Sequence, residues 1–178
     1  MQKRSDLWLN DVKSHKECKK LAADYVEITF DNLVQNALNS NKSFAYEGHF
    51  TNDATWSIPI KFKEAGYKIH LIFFGLTDIA LSEIRVLGRA KEGGHYVDPL
   101  TLVQNFYGNL EKLDKYYSIF DSVQIIDTSS IEHIGLAILK NGKCISSIAH
   151  SHLPNWFKQH LKNITLQIIE FENHITKV

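Results

Sequence analysis

The sequence predicts an α/β fold with a mainly parallel sheet, closed by a C-terminal β-hairpin and helix. Three observations carry this. Short apolar runs of strand length, such as Ile69 to Leu76, alternate with longer stretches whose apolar residues recur every three or four positions. Asn141-Gly142 lies between two further apolar runs, a strong hairpin signal. Leu153-Pro154 then opens a segment carrying Trp156, Phe157 and Leu161 at helical spacing.

Taken in order, residues 17–40 predict a helix, with Val26, Phe30, Leu33, Val34, Ala37 and Leu38 on one stripe and Asn39-Ser-Asn41 as its stop. Residues 43–47 read as a short strand ending in the carboxylate of Glu47. Residues 52–65 alternate like a strand, but Pro59 argues against a central one. Asn52 or Asp53 as a cap and Lys63-Glu-Ala-Gly66 as an end favour a helix kinked at Pro59. The 67–75 segment is apolar at nearly every position, as a parallel strand covered on both faces should be. Thr77 is placed to cap a helix running to about Glu92. Pro99 opens another helix through about Tyr117, and Ser122 to Ile126 reads as a buried strand. The pairs Phe73-Phe74 and Tyr116-Tyr117 are assigned to the core.

Composition narrows the class. The chain has 178 residues, enough for one domain with a sizeable core; 44% are hydrophobic and 22% charged, which argues against disorder. The formal charge is zero, so no global field favours nucleic acid or an anionic membrane, and any anion site must be local. The N-terminal residues have no apolar run behind their basic ones, and no stretch is long enough to span a bilayer. The two cysteines, Cys18 and Cys144, form no paired motif. A cytoplasmic protein is the simplest expectation.

The stretch richest in chemistry is Glu83-Ile-Arg-Val-Leu-Gly-Arg-Ala-Lys-Glu-Gly-Gly-His95. Arg85 and Arg89 stand four apart, about one helical turn, so their guanidiniums share a face while Ile84 and Leu87 turn away. Such a pair suits phosphate recognition. It equally fits a solvated helix face ending in a glycine cap. His95 can reach a phosphate or help the cap. His150-Ser-His152 would place two imidazoles on one face of a strand, as a metal-dependent hydrolase might use, but no cysteine or acidic partner lies nearby in sequence.

In order and spacing, several stretches together resemble the zeta toxin family of P-loop kinases. They are Ser43-Phe-Ala-Tyr-Glu-Gly48, Lys63-Glu-Ala-Gly-Tyr-Lys-Ile-His70 with the apolar run after it, and the arginine helix with Gly93-Gly94-His95-Tyr96-Val97. Asn105-Phe106-Tyr107, Asp121 to Asp127 and Leu153-Pro-Asn-Trp156 follow. The resemblance covers about residues 20–160. It implies one P-loop kinase-like domain over residues 1–178, ATP and Mg2+ as cofactors, and transfer of a phosphoryl group to a sugar nucleotide; the toxins are known for UDP-N-acetylglucosamine. It makes Arg89 and Arg85 the catalytic lid arginines. It makes Glu47 the residue that contacts the substrate, with His49 at the position where the family usually has threonine.

The sequence also departs from the family. No Gly-x4-Gly-Lys-Ser/Thr occurs; the single Gly-Lys pair, Gly142-Lys143, is followed by Cys144. The expectation is a chain that begins after the Walker A strand and is inactive as it stands, with tight ATP binding lost. The second lid pair aligns with Gln104 and Asn105, neither of them cationic. Asp6 and Asp11 are the candidates for the general base. The alternative is a non-catalytic descendant that binds an antitoxin-like protein or a second copy of itself. For a sheet without its Walker A strand, the expectation is that strands 43–47 and 68–75 pair directly, or that another chain covers the exposed edges.

Overall fold

The computed structural model describes residues 14–94 and 96–176. The chain divides into two compact units, one ending at Glu47 and one starting at Gly48.

In the first unit, α1 (His15–Ser40) starts with a capping box. The Ser14 hydroxyl accepts the Glu17 N–H while the Glu17 carboxylate accepts the Ser14 N–H at 2.7 Å. Asn41, in the left-handed region at φ 50°, ends it as anticipated. Residues 43–47 are not a strand. Phe44 and Tyr46 both turn onto Phe30 of α1, with ring centroids 6.0 and 5.4 Å away, so this segment is held by aromatic packing and joins no hydrogen-bonded ladder. Glu47 is therefore an exposed residue after a helix-packed segment, and the anticipated pairing with 68–75 does not occur.

The second unit is an α/β arrangement. Its elements are α2 (Ser57–Glu64), β1 (His70–Gly75), α3 (Ile79–Lys91), α4 (Pro99–Tyr116), β2 (Ser122–Asp127), β3 (Ile134–Lys140), β4 (Lys143–Ser147), α5 (Asn155–His160) and α6 (Lys162–Ile175). The sheet order is β1-β2-β3-β4. Only β1 and β2 are parallel, in register from His70 opposite Ser122 to Gly75 opposite Asp127, and the rest is antiparallel. The sheet is thus mixed rather than mainly parallel. Asn141 (φ 48°) and Gly142 (φ 78°) turn the β3–β4 hairpin, two successive positive angles that Asn-Gly tolerates best.

Several boundaries follow local chemistry. The α2 helix is not kinked at Pro59; a 3-10 turn, Asp53–Trp56, runs into it, and Pro59 sits in its first turn, where its missing N–H costs nothing. At its end Gly66 is at φ 84°, its N–H bonds Lys63 O, the Tyr67 N–H bonds Phe62 O, and the Tyr67 ring packs on Phe62 at 5.0 Å. The α3 helix is capped by Asp78, whose carboxylate accepts the Leu81 N–H at 2.9 Å, and not by Thr77. At its other end Gly93 (φ 88°) and Gly94 donate back to Ala90 O and Arg89 O, the same glycine stop. The closing helix is broken into α5 and α6 at Leu161.

The core lies between the sheet and helices α4 to α6, where Leu113, Val123, Ile125, Leu136, Leu139, Phe157, Ile164 and Ile168 are almost fully buried. β1 departs from expectation. Among the described residues it pairs only with β2, and one face carries Ile72 and Phe74, 57% and 60% exposed. It is an edge strand covered on one face, and Phe74 is not a core residue.

Asp121 ties the start of this sheet together. Its carboxylate accepts the Ile69 N–H at 2.8 Å and lies 3.4 Å from Lys63 Nζ, while its carbonyl accepts the Asn141 N–H. The Ile69 N–H, and then Lys63, hold the Asp121 carboxyl below the usual carboxylate range. A depressed carboxyl contributes stability that is present above its unfolded pKa of about 3.9 and is lost as pH falls through its lower folded value. Asp121→Asn is therefore expected to cost about 1 kcal/mol near neutrality. Urea midpoints across pH check this: the gap from wild type should close in acid, and a gap independent of pH would refute the assignment.

Candidate functional site

β1 and β2 run parallel, so their carboxyl ends, Gly75 and Asp127, open on the same edge, where α/β sheets usually hold ligands. That edge is tightly built. The Thr128 N–H and hydroxyl both donate to Gly75 O, at 2.9 and 3.0 Å. Asp127 accepts from the Ser129 N–H at 2.8 Å and from Trp156 Nε1 at 3.1 Å, and the Ser129 hydroxyl accepts the Thr77 N–H at 2.8 Å.

The two arginines of α3 divide around this edge. Arg85 Nη2 donates to Thr128 O at 2.6 Å and borders a shallow crevice with Ser129, Ser130 and His133. Arg89, one turn later, lines a separate cavity of about 180 Å³ between β1, α3 and α4. Both therefore lie toward the carboxyl ends of the parallel strands, but they do not converge on one cavity. Among the described residues no hydrogen bond or ion pair holds the Arg89 guanidinium, and the residue is exposed.

The Arg89 cavity has a mixed lining. Val86, Leu102 and Leu110 are buried residues of it, with Phe73 and Phe106 beside them in the lining; Ser82, His49, Asn105 and Asn109 are its other polar residues. His49 reaches it through an anchored loop. Asn109 Oδ1 accepts the Phe50 N–H at 2.6 Å, Phe50 O accepts Trp56 Nε1 at 3.1 Å, and Trp56 stacks on Tyr116 of α4 with centroids 4.9 Å apart. Gly108 permits this approach, since a Cβ there would come within 3.0 Å of Thr51. Asn109 Nδ2 then meets His49 Nδ1 at 3.1 Å.

Of the candidate residues from the sequence, Arg89 and His49 share this cavity, and Asn105, which aligns with a lid arginine of the family that the sequence resembles, joins them, while Gln104 is exposed outside it. Glu47 belongs to the first unit; the cavity is built from the second alone. Asp6, Asp11 and His95 lie outside the described residues. Asn109 had no assigned role, although its four-residue spacing from Asn105 already placed both amides on one helix face.

The residues do not fit an ATP phosphate cradle: Gly142-Lys143, the single Gly-Lys pair, turns the β3–β4 hairpin rather than joining a strand to a helix. Nor do they fit a metal site. His150 and His152 lie on a 3-10 turn rather than a strand, and among the described residues no three His, Cys, Asp or Glu gather as a metal would require. No helix of the described residues is long and apolar enough to cross a membrane. Compared with known proteins, the chain matches no family model, no curated protein and no solved structure.

Proposed function

We propose that this chain is a zeta-toxin-like domain that binds a small anionic sugar derivative, of the sugar-nucleotide class, without itself transferring a phosphoryl group. The observation supporting this is the meeting of Arg89, whose guanidinium has no partner among the described residues, with His49, Asn105 and Asn109 in one cavity at the carboxyl end of β1. Arg89 supplies the charge for a phosphate; the amides and imidazole supply hydrogen bonds for sugar oxygens; Phe73 and Phe106 supply an apolar surface for a ring. The missing phosphate cradle argues against ATP as co-substrate, so no transfer step is assigned to ATP and Mg2+.

Calorimetry tests this directly. UDP-N-acetylglucosamine should bind, Mg-ATP should not bind with micromolar affinity, and Arg89→Ala should abolish the first while changing unfolding free energy by no more than about 0.5 kcal/mol, as at an exposed site. Tight Mg-ATP binding, or sugar-nucleotide binding indifferent to Arg89, would overturn it. A second reading, a non-catalytic interaction protein with an antitoxin-like partner or a second copy, draws on the edge of β1, unpaired among the described residues, and its exposed Ile72 and Phe74. The metal-dependent hydrolase has no comparable support.

A further inference from the structure

The hydrogen bonds of Asn109 determine more than its own position. A backbone N–H can only donate, so the atom 2.6 Å from the Phe50 nitrogen must be the amide oxygen. The other end of the amide is then the NH2 group, which can only donate, and it faces His49 Nδ1 at 3.1 Å. Nδ1 must accept, so the proton of the neutral imidazole sits on Nε2. The other ring nitrogen is thus a donor, and His49 lines the cavity that Arg89 also lines.

We infer that Asn109 is a positioning residue that locks His49 as the Nε2–H tautomer, so that the neutral imidazole has a donor, and no acceptor, left for a ligand. What this does for a ligand rests on the sugar-nucleotide reading above.

Two measurements on the full chain test the two halves. The first is the 15N resonances of the His49 ring, recorded in alkaline buffer with the ring neutral. Wild type should show Nδ1 unprotonated. Asn109→Asp, which still accepts the Phe50 N–H but offers a second acceptor to the ring, should show Nδ1 protonated. Wild-type Nδ1 carrying the proton overturns the positioning role, whatever binds. The second is calorimetry with UDP-N-acetylglucosamine: His49→Phe should weaken its binding about tenfold, the worth of one good hydrogen bond. Binding unchanged in His49→Phe overturns the donor role of His49 while leaving the sugar-nucleotide reading, which rests on Arg89, intact. No binding by wild type overturns that reading and the donor role with it.

Discussion

Alanine at Gly75 is expected to destabilise the fold by about 3 kcal/mol, the upper range for forcing atoms into a packed core. A Cβ built there falls 2.1 Å from Cη2 and 2.4 Å from Cζ2 of Trp156. The indole cannot step aside cheaply: Trp156 is buried, and its Nε1 is held by Asp127. Gly75 is the last residue of β1, and the loop beyond it leads to the arginine helix, so the same clash should loosen the cavity edge. Guanidinium unfolding of Gly75→Ala, Trp156→Phe and the double variant gives the cycle. The double variant should cost clearly less than the two single costs added, because the smaller ring relieves the clash. A Gly75→Ala cost below about 1 kcal/mol would show that the strand end shifts freely and is not locked as described.

Asp114→Ala is expected to cost roughly 2–4 kcal/mol. Helix α6 has Leu161 at its N-cap and hence no side chain of its own to satisfy its first amides. Asp114, buried on α4 and distant in sequence, does so instead: Oδ2 accepts the Asn163 N–H and Oδ1 the Ile164 N–H, each at 3.0 Å, and the Asp114 carbonyl accepts from Asn163 Nδ2 at 3.3 Å. Alanine leaves those amides without acceptors where Ile164 is fully buried, and an unsatisfied buried donor costs about 1–3 kcal/mol. Asp114→Asn keeps one acceptor oxygen and should cost about half as much. Urea unfolding of both variants checks the ranking; equal, small costs would mean that water reaches the helix start and that the carboxylate is not the cap.

Helix α1, the Pro99 start of α4, the glycine stops after α2 and α3, and the Asn-Gly hairpin were legible in the sequence because each is settled within a few residues. A proline fixes φ at a first turn, a glycine takes a positive φ, and an amphipathic stripe repeats every turn. Two residues of the cavity lining, Arg89 and His49, were already candidates in the sequence: Arg89 as a cation beside a glycine stop, His49 as a departure from the pattern that the sequence resembles.

Tertiary structure decided the remainder. The Phe44–Tyr46 segment has strand-like composition, but its rings packed on Phe30 and no ladder formed. The apolar run of β1 matched a covered strand, yet sheet order put it at an edge with Ile72 and Phe74 outward. Arg85 and Arg89 looked like one pair until the Thr128 carbonyl took the first and the α3–α4 cavity the second. Burial, sheet position and the partner of a long side chain depend on which other residues arrive beside it: Phe30 for the 43–47 segment, β2 for β1 and Thr128 for Arg85, contacts that no local pattern encodes.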